Sequence, residues 1–225
     1  YLATAGNGLW VSRSRGDLWA KVSDTSGILE PNANVLAVAV SPDDNQEWYV
    51  AVFQKNKGRV LRTADGGFNF REIYAAPLER YGVFDVHYDS ARRAVMIATG
   101  QGGLLETINR GETWRVTRWF ADGLVRLVVS AANNAVRFVV TPEGSVFRTE
   151  DRGKNWADIT PAIRGFGGST SNQRWLADDF GGIYLGSSYG LLRSRNNGSS
   201  FEAPPLIIPP DVLPHVFDPF FSTKE

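Results

Sequence analysis

The sequence predicts an all-β fold, a β-propeller of four-stranded antiparallel blades, and three observations predict it. One short phrase recurs five times in the 225 residues. It reads Ser12-x-Ser14-x-Gly16-x-Leu18-Trp19, Thr63-x-Asp65-x-Gly67-x-Asn69-Phe70 and Thr107-x-Asn109-x-Gly111-x-Thr113-Trp114, then Thr149-x-Asp151-x-Gly153-x-Asn155-Trp156 and Ser194-x-Asn196-x-Gly198-x-Ser200-Phe201. The copies stand 42 to 51 residues apart, a period that marks blade-by-blade architectures. Between them run short β-branched segments broken by Gly, Asn, Asp and Pro, four to a full period, with an aromatic at a fixed place in each.

Taken in order, residues 1–23 supply three strands, Tyr1–Thr4, Leu9–Ser12 and Leu18–Val22, and lack an innermost one. Three full blades follow. The first has Val35–Val40, Trp48–Phe53, Arg59–Thr63 and Phe70–Tyr74. The second has Val83–Tyr88, Ala94–Thr99, Leu104–Thr107 and Trp114–Trp119. The third has Leu124–Ser130, Ala135–Thr141, Ser145–Thr149 and Trp156–Thr160. Each run is 4–8 residues long and bounded by turn residues, as an antiparallel meander requires. The fifth unit offers Arg174–Ala177, Ile183–Gly186 and Leu191–Ser194, then Phe201 and a break into Pro204-Pro205. These boundaries predict a propeller over residues 1–203, incomplete as a ring and part of one with six to eight blades. Residues 204–225 form a non-propeller tail.

The phrase itself reads as turn chemistry. An Asp or Asn at the third position is expected to accept backbone N–H groups two residues on, as in an Asx turn. The Ser or Thr hydroxyl at the first position ties the loop from the other side. Gly16, Gly67, Gly111, Gly153 and Gly198 supply the positive φ. Trp19, Phe70, Trp114, Trp156 and Phe201 start the next strand and offer apolar area to a neighbouring blade.

Composition narrows the function classes. Lys plus Arg and Asp plus Glu both number 24, so no net field draws the chain to nucleic acid or to an anionic membrane. No run approaches the ~20 apolar residues of a membrane helix. Cysteine is absent, and His87 and His215 are the only histidines, so thiolate chemistry is excluded and a histidine metal cage is not expected. No cofactor is expected. The chain begins at Tyr1 without a charged-then-apolar leader, so any targeting peptide is expected to lie outside it.

The recurring phrase resembles the Asp-box, or BNR, repeat, with consensus Ser/Thr-x-Asp-x-Gly-x-Thr/Ser-Trp. The copies from Thr107 and Thr149 are near matches; Phe70 and Phe201 replace the usual Trp, and Ser14 stands where the acid belongs. The resemblance covers about residues 1–203. It implies kinship with sialidases, xyloglucan-cleaving glycosidases, sortilin-like receptors and photosystem II assembly factor-like propellers. The spacing and the line Gly58-Arg-Val-Leu-Arg-Thr-Ala-Asp-Gly-Gly look most like the last two. By that analogy the protein is extracytoplasmic, periplasmic or secreted.

If the phrase joins the third and outermost strands, it lies opposite the loops that carry function in such folds. Its residues (Ser12, Thr63, Asp65, Thr107, Asn109, Thr149, Asp151, Ser194 and Asn196 with the glycines and aromatics) are then structural, not catalytic. Arg62, Arg148 and Arg193 directly precede the second, fourth and fifth copies and read as repeat framework. The opposite face contains Lys55 and Lys57, Arg80-Tyr81, Trp119-Phe120, Arg164-Gly165-Phe166 and Tyr189, residue types that binding loops use. Lys55, Arg80, Tyr81, Trp119, Arg164 and Tyr189 are the candidate binding residues, for a protein or carbohydrate partner. Gly165–Ser171 reads as an inter-blade loop.

A glycoside hydrolase is the alternative. A sialidase would need three convergent arginines, and the Arg-Ile-Pro signature of that fold is absent. A xyloglucanase would need two carboxylates ~5.5 or ~6.5–9.5 Å apart; the acids outside the repeats are Glu79, Asp85, Asp122 and Asp178. His87 lies on an alternating strand and reads as a packed side chain.

The tail resembles another family. Phe217-x-Pro219-Phe220-Phe221-Ser222-Thr223-Lys224 is similar to the Phe box of histidine kinase ATP-binding domains. The Asp-x-Gly-x-Gly before it, the Asn-bearing helix and the phospho-accepting His helix are missing. No ATP binding is expected, and His215 does not match the phospho-acceptor. The tail reads as a junction with another reading frame, or else the chain is the sensor part of a kinase-related protein.

Overall fold

In a computed structural model of the protein, the second strand of each full blade is mostly apolar and buried on both faces. The structure describes residues 1–167, 173–178, 180–187 and 190–204; Tyr189 and the tail from Pro205 lie outside them. The first sheet holds β1 (Leu2–Ala3), β2 (Leu9–Val11) and β3 (Ala20–Lys21). The second holds β4 (Asn34–Val40), β5 (Trp48–Gln54), β6 (Lys57–Thr63) and β7 (Arg71–Ala75). The third holds β8 (Val83–Asp89), β9 (Ala94–Thr99), β10 (Gly103–Thr107) and β11 (Arg115–Trp119). The fourth holds β12 (Arg126–Val129), β13 (Arg137–Val140), β14 (Val146–Thr149) and β15 (Ala157–Asp158), and is followed by the helical turn α1 (Thr160–Arg164). The fifth holds β16 (Arg174–Ala177), β17 (Ile183–Ser187) and β18 (Gly190–Ser194). Within each sheet the strands pair antiparallel in chain order.

The period of two along a strand builds the core, because successive side chains point to opposite faces of the sheet. On β5, Val50 and Val52 pack with Leu9 of the first blade and Leu29 of the linker after it, whereas Tyr49 and Ala51 pack with Val83 and Val95 of the third. On β9, Ile97 faces the second blade and Met96 and Ala98 face Leu127 and Val139 of the fourth. Phe138 and Val140 of β13 meet Ile183 and Leu185 of the fifth. Each such side chain contributes roughly 1.5–3 kcal/mol when fully buried. Outermost strands carry the polar alternation instead: β11 is mostly exposed.

Local geometry refines three expectations. The fourth strand of the fourth blade ends at Asp158, because Pro161 suits the first turn of α1 and cannot continue a ladder. In the fifth blade, among the described residues, one bridge, Arg193 to Glu202, occupies the outermost place. In the repeated turn the third-position side chain accepts the backbone N–H four residues on, not two. Thr63 Oγ1 donates to Asp65 Oδ1 at 2.7 Å and accepts from Gly67 N at 3.0 Å, while Asn69 N donates to Asp65 Oδ1 at 2.9 Å. The same bonds recur at Thr107, Thr149 and Ser194. In the first copy Ser12 Oγ accepts from Gly16 N at 2.8 Å and Ser14 Oγ from Leu18 N at 2.8 Å, so a hydroxyl takes over the carboxylate's acceptor role.

The glycine of the turn answers two demands. Gly111 has φ 88° and Gly198 φ 76°, and a Cβ there would stand 2.5 Å from Ile73 Cβ and 2.3 Å from Phe138 Cζ of the preceding blade. The aromatics precede their strands and mostly reach that same blade: Trp114 Nε1 donates to Ile73 O at 2.8 Å, and Trp156 meets Phe120 edge-on at 5.3 Å. Trp19 departs from the pattern and remains 43% exposed. Because the Thr107 hydroxyl is buried with two backbone N–H groups depending on it, Thr107→Val is expected to lower stability by about 1–3 kcal/mol. A denaturant midpoint unchanged from wild type would refute that.

Candidate functional site

Each antiparallel meander puts the repeated turns and the first-to-second-strand loops on one face. The second-to-third-strand hairpins and inter-blade linkers lie on the other. Five of the six candidate binding residues lie on this second face, and Tyr189 lies outside the described residues. Lys55 forms the β5–β6 turn with φ 51° and pairs with Glu30 at 3.5 Å. The linker after β7 folds onto that hairpin: Arg80 N donates to Asn56 O at 2.9 Å and Gly58 N to Tyr81 O at 2.8 Å. Lys55, Arg80 and Tyr81 thus gather at one corner. Tyr81 is 41% and Trp119 56% exposed. Trp119 ends β11 one blade further on, while its neighbour Phe120 packs on Phe147 at 5.2 Å. Arg164 ends α1 and is exposed.

A groove of about 340 Å³ runs along the innermost strands, lined by Leu36, Phe84, Arg126, Gln173 and Arg174 among others. Leu36 and Phe84 are extra residues at equivalent β-bulges in β4 and β8, which a strict alternation cannot anticipate. The bulge at Phe84 also turns Asp85 toward the fourth blade. There its carboxylate accepts Leu127 N at 2.9 Å and Val86 N at 3.0 Å, with Arg126 Nη1 at 3.8 Å. Burial pushes this carboxyl up to about 6, against those hydrogen bonds and Arg126. Two residues on, burial brings His87 down to about 4.

The four acids outside the repeats occupy different places. Asp85 is in the inner strand; Glu79 and Asp122 are exposed on separate linkers. Asp178 lies in the loop on the other face, held by Phe180 N at 2.9 Å, Gly182 N at 2.7 Å and Tyr184 Oη at 3.0 Å. The turn carboxylates Asp65 and Asp151 are held down at about 2, chiefly by the backbone N–H of Asn69 and of Asn155.

The arginines before the repeats bind the framework. Arg62 Nη2 meets Glu47 at 2.5 Å, Arg148 Nε donates to Asn197 O of the next repeat at 2.8 Å, and Arg193 pairs with Glu202 at 2.7 Å. Where these stand, the third blade has Glu106, and the polarity of the place inverts. Glu106 accepts Arg92 through two bonds, at 2.5 and 3.0 Å, and Arg115 at 3.1 Å. Burial alone would raise its carboxyl, but the two guanidiniums outweigh that and hold it low. This cluster borders two cavities of about 490 and 410 Å³ on the repeat-turn side. Sequence reasoning missed it, although an acid at the place of a repeated arginine was a visible signal. Behind it, Arg137 and Asp89 form a buried pair at 3.4 Å between the third and fourth blades.

Comparison with solved structures decides the fold. Its backbone matches a GH74 xyloglucanase from Xanthomonas campestris with a TM-score of 0.64 at 19% identity, over 89% of this chain and 35% of that one. Among the described residues the fold is a five-bladed β-propeller. This propeller also resembles YCF48 from Cyanidioschyzon merolae, with TM-score 0.55, 15% identity and coverage of 82% and 58%. A chain of a nidogen/laminin complex matches with TM-score 0.61, 12% identity and coverage of 86% and 72%. The propeller spans about a third of the xyloglucanase, 35% of its length, and at these identities the likeness concerns the fold. No family model and no curated protein sequence matches the chain. Among the described residues, no helix is long and apolar enough to cross a membrane.

Proposed function

We propose that this propeller is a non-catalytic scaffold that binds a protein or glycan partner through the loops opposite its repeated turns, outside the cytoplasm. The observation that carries the reading is the exposure of Tyr81 and Trp119 on that face, which also carries Lys55, Arg80 and Arg164. Half-exposed aromatics with nearby cations are what partner surfaces use as anchors. The carboxylates support it too. Glu106, Asp89, Asp151 and Asp178 are each engaged by framework donors, which leaves them poorly placed to trade protons with a substrate. The repeated-turn residues keep a structural role in this reading. Among the similar folds, the nidogen/laminin complex is one of protein with protein.

One observation favours a second reading. Asp85 is raised by burial to about 6, in the range of a general acid, and sits beside Arg126, which lines the inner groove; the GH74 xyloglucanase is an enzyme of the same fold. A hydrolysis screen on xyloglucan oligosaccharides and sialosides, run beside a glycan and protein binding screen, separates the two. The scaffold reading expects no turnover, and at least tenfold weaker partner binding for Tyr81→Ala with Trp119→Ala at unchanged melting temperature. Turnover abolished by Asp85→Asn would establish the enzyme instead.

A further inference from the structure

We propose that the free edge of β11, beside the cationic cavity of the third and fourth blades, docks an extended acidic peptide segment. β11 is the outermost strand of its sheet, and its outer row of backbone N–H and C=O groups has no strand partner among the described residues. It runs for five residues, as does β7 in the second blade, whereas the outermost strands of the first and fourth blades have two each; of these, only β11 borders the cationic cavity. An edge of this length is a template for adding a strand. Val116 on it is 42% exposed.

The cavity of about 490 Å³ lies along that edge, lined by Arg92, Glu106, Arg115, Val116, Arg152 and Lys154 among others. Its two carboxylates are already occupied. Glu106 is saturated by Arg92 and Arg115, and its side chain is 4% exposed. Asp151 is closed into its own turn by Thr149 and Asn155. Arg152 reaches Asn134 Oδ1 at 3.3 Å, and neither it nor Lys154 has an ion pair among the described residues. Glu106 therefore fixes two guanidiniums in place, and Arg152 and Lys154 add positive charge that no ion pair among the described residues takes up.

The partner's chemistry follows from the two features together. A strand added to β11 satisfies the edge through its main chain and presents alternate side chains on one face. Carboxylates at every second position then stand over Arg115, Arg152 and Lys154, with apolar residues between them against Val116. A polyanionic saccharide would neutralise the cations but leave the edge amides unpaired, so the edge favours a peptide. This site is separate from the loops of the opposite face and does not depend on what they bind.

The test uses the full chain and a fluorescein-labelled peptide of alternating Glu and Val, read by anisotropy. Three probes accompany it: the same peptide with Lys for Glu, the Glu peptide N-methylated at alternate residues, and a sulfated oligosaccharide. The Glu peptide is expected to bind, more weakly as salt rises. Arg152→Glu with Lys154→Glu should weaken it at least tenfold, N-methylation should weaken it as much, and Tyr81→Ala should leave it unchanged. If the double variant unfolds, Lys154→Ala with its fold verified must still weaken binding. Equal binding of the N-methylated peptide, binding of the saccharide but not the peptide, or indifference to the Lys154 change would overturn the proposal.

Discussion

Replacing Arg137 by Met is expected to destabilise the propeller by about 3–5 kcal/mol, the cost of leaving one member of a buried ion pair alone. Arg137 and Asp89 are each 2% exposed, and their contact at 3.4 Å crosses from the fourth blade to the third. The guanidinium also donates to Asn134 O at 3.1 Å and Arg152 O at 3.3 Å, so it ties the base of the fourth repeated turn. Removing it leaves Asp89, itself 2% exposed, with Asn134 Nδ2 at 3.0 Å as its remaining side-chain hydrogen-bond partner. The double change Arg137→Met with Asp89→Leu should recover most of the loss, because the desolvation cost of both charges goes with them. The measurement is the denaturant midpoint at constant m-value. A single variant within about 1 kcal/mol of wild type would mean that relaxation or solvent already serves Asp89.

The second large effect is hidden in the wild type and appears in single variants. Asp85 is raised by burial to about 6 and His87 lowered by burial to about 4, and both side chains hang from β8. The two shifts have opposite consequences for stability. A raised carboxyl contributes stability that is complete below its unfolded value and is lost as pH rises through about 6. A lowered imidazole contributes stability that is complete above its unfolded value and is lost as pH falls through about 4. Each shift is worth about 3 kcal/mol. Across about pH 4 to 6.5 they nearly cancel, and the wild-type stability profile should be flat there. Asp85→Asn should expose the His87 term, with stability falling by about 3 kcal/mol on acidification through that window. His87→Gln should do the reverse, with stability falling as pH rises. Glu106 is also held low, but its contribution fades only toward the acid end of the window. Two variant profiles parallel to wild type would show that neither group titrates with these values.

These effects sit where the sequence was least informative. The repeated turns were legible residue by residue, because a Ser/Thr-x-Asp/Asn-x-Gly turn is closed by groups within four positions of one another. The blade strands were equally legible, since β-branched runs bounded by turn residues report burial directly. What a linear pattern does not encode is which side of a sheet meets which neighbour. One extra residue, Phe84, reverses the facing of the residues after it, and so decides that Asp85 binds Leu127 N of the next blade. The tail and Tyr189, on which parts of the sequence reading rested, lie outside the described residues.

The sequence by itself therefore determined the five repeats, the strand order within each blade and the face on which the repeated turns lie. Each of these rests on interactions local in the chain, or on a period that repeats them. Its expectation of a six- to eight-bladed ring went beyond the five blades seen among the described residues. Only the tertiary structure decided the pairs that span one repeat length or more: Arg137 with Asp89, Asp85 with Leu127, and the cavity where the repeated turn of the fourth blade meets the edge of β11. Such contacts arise from how one blade rotates against the next, which brings residues some 40 positions apart into contact, and no spacing within a single repeat records that rotation.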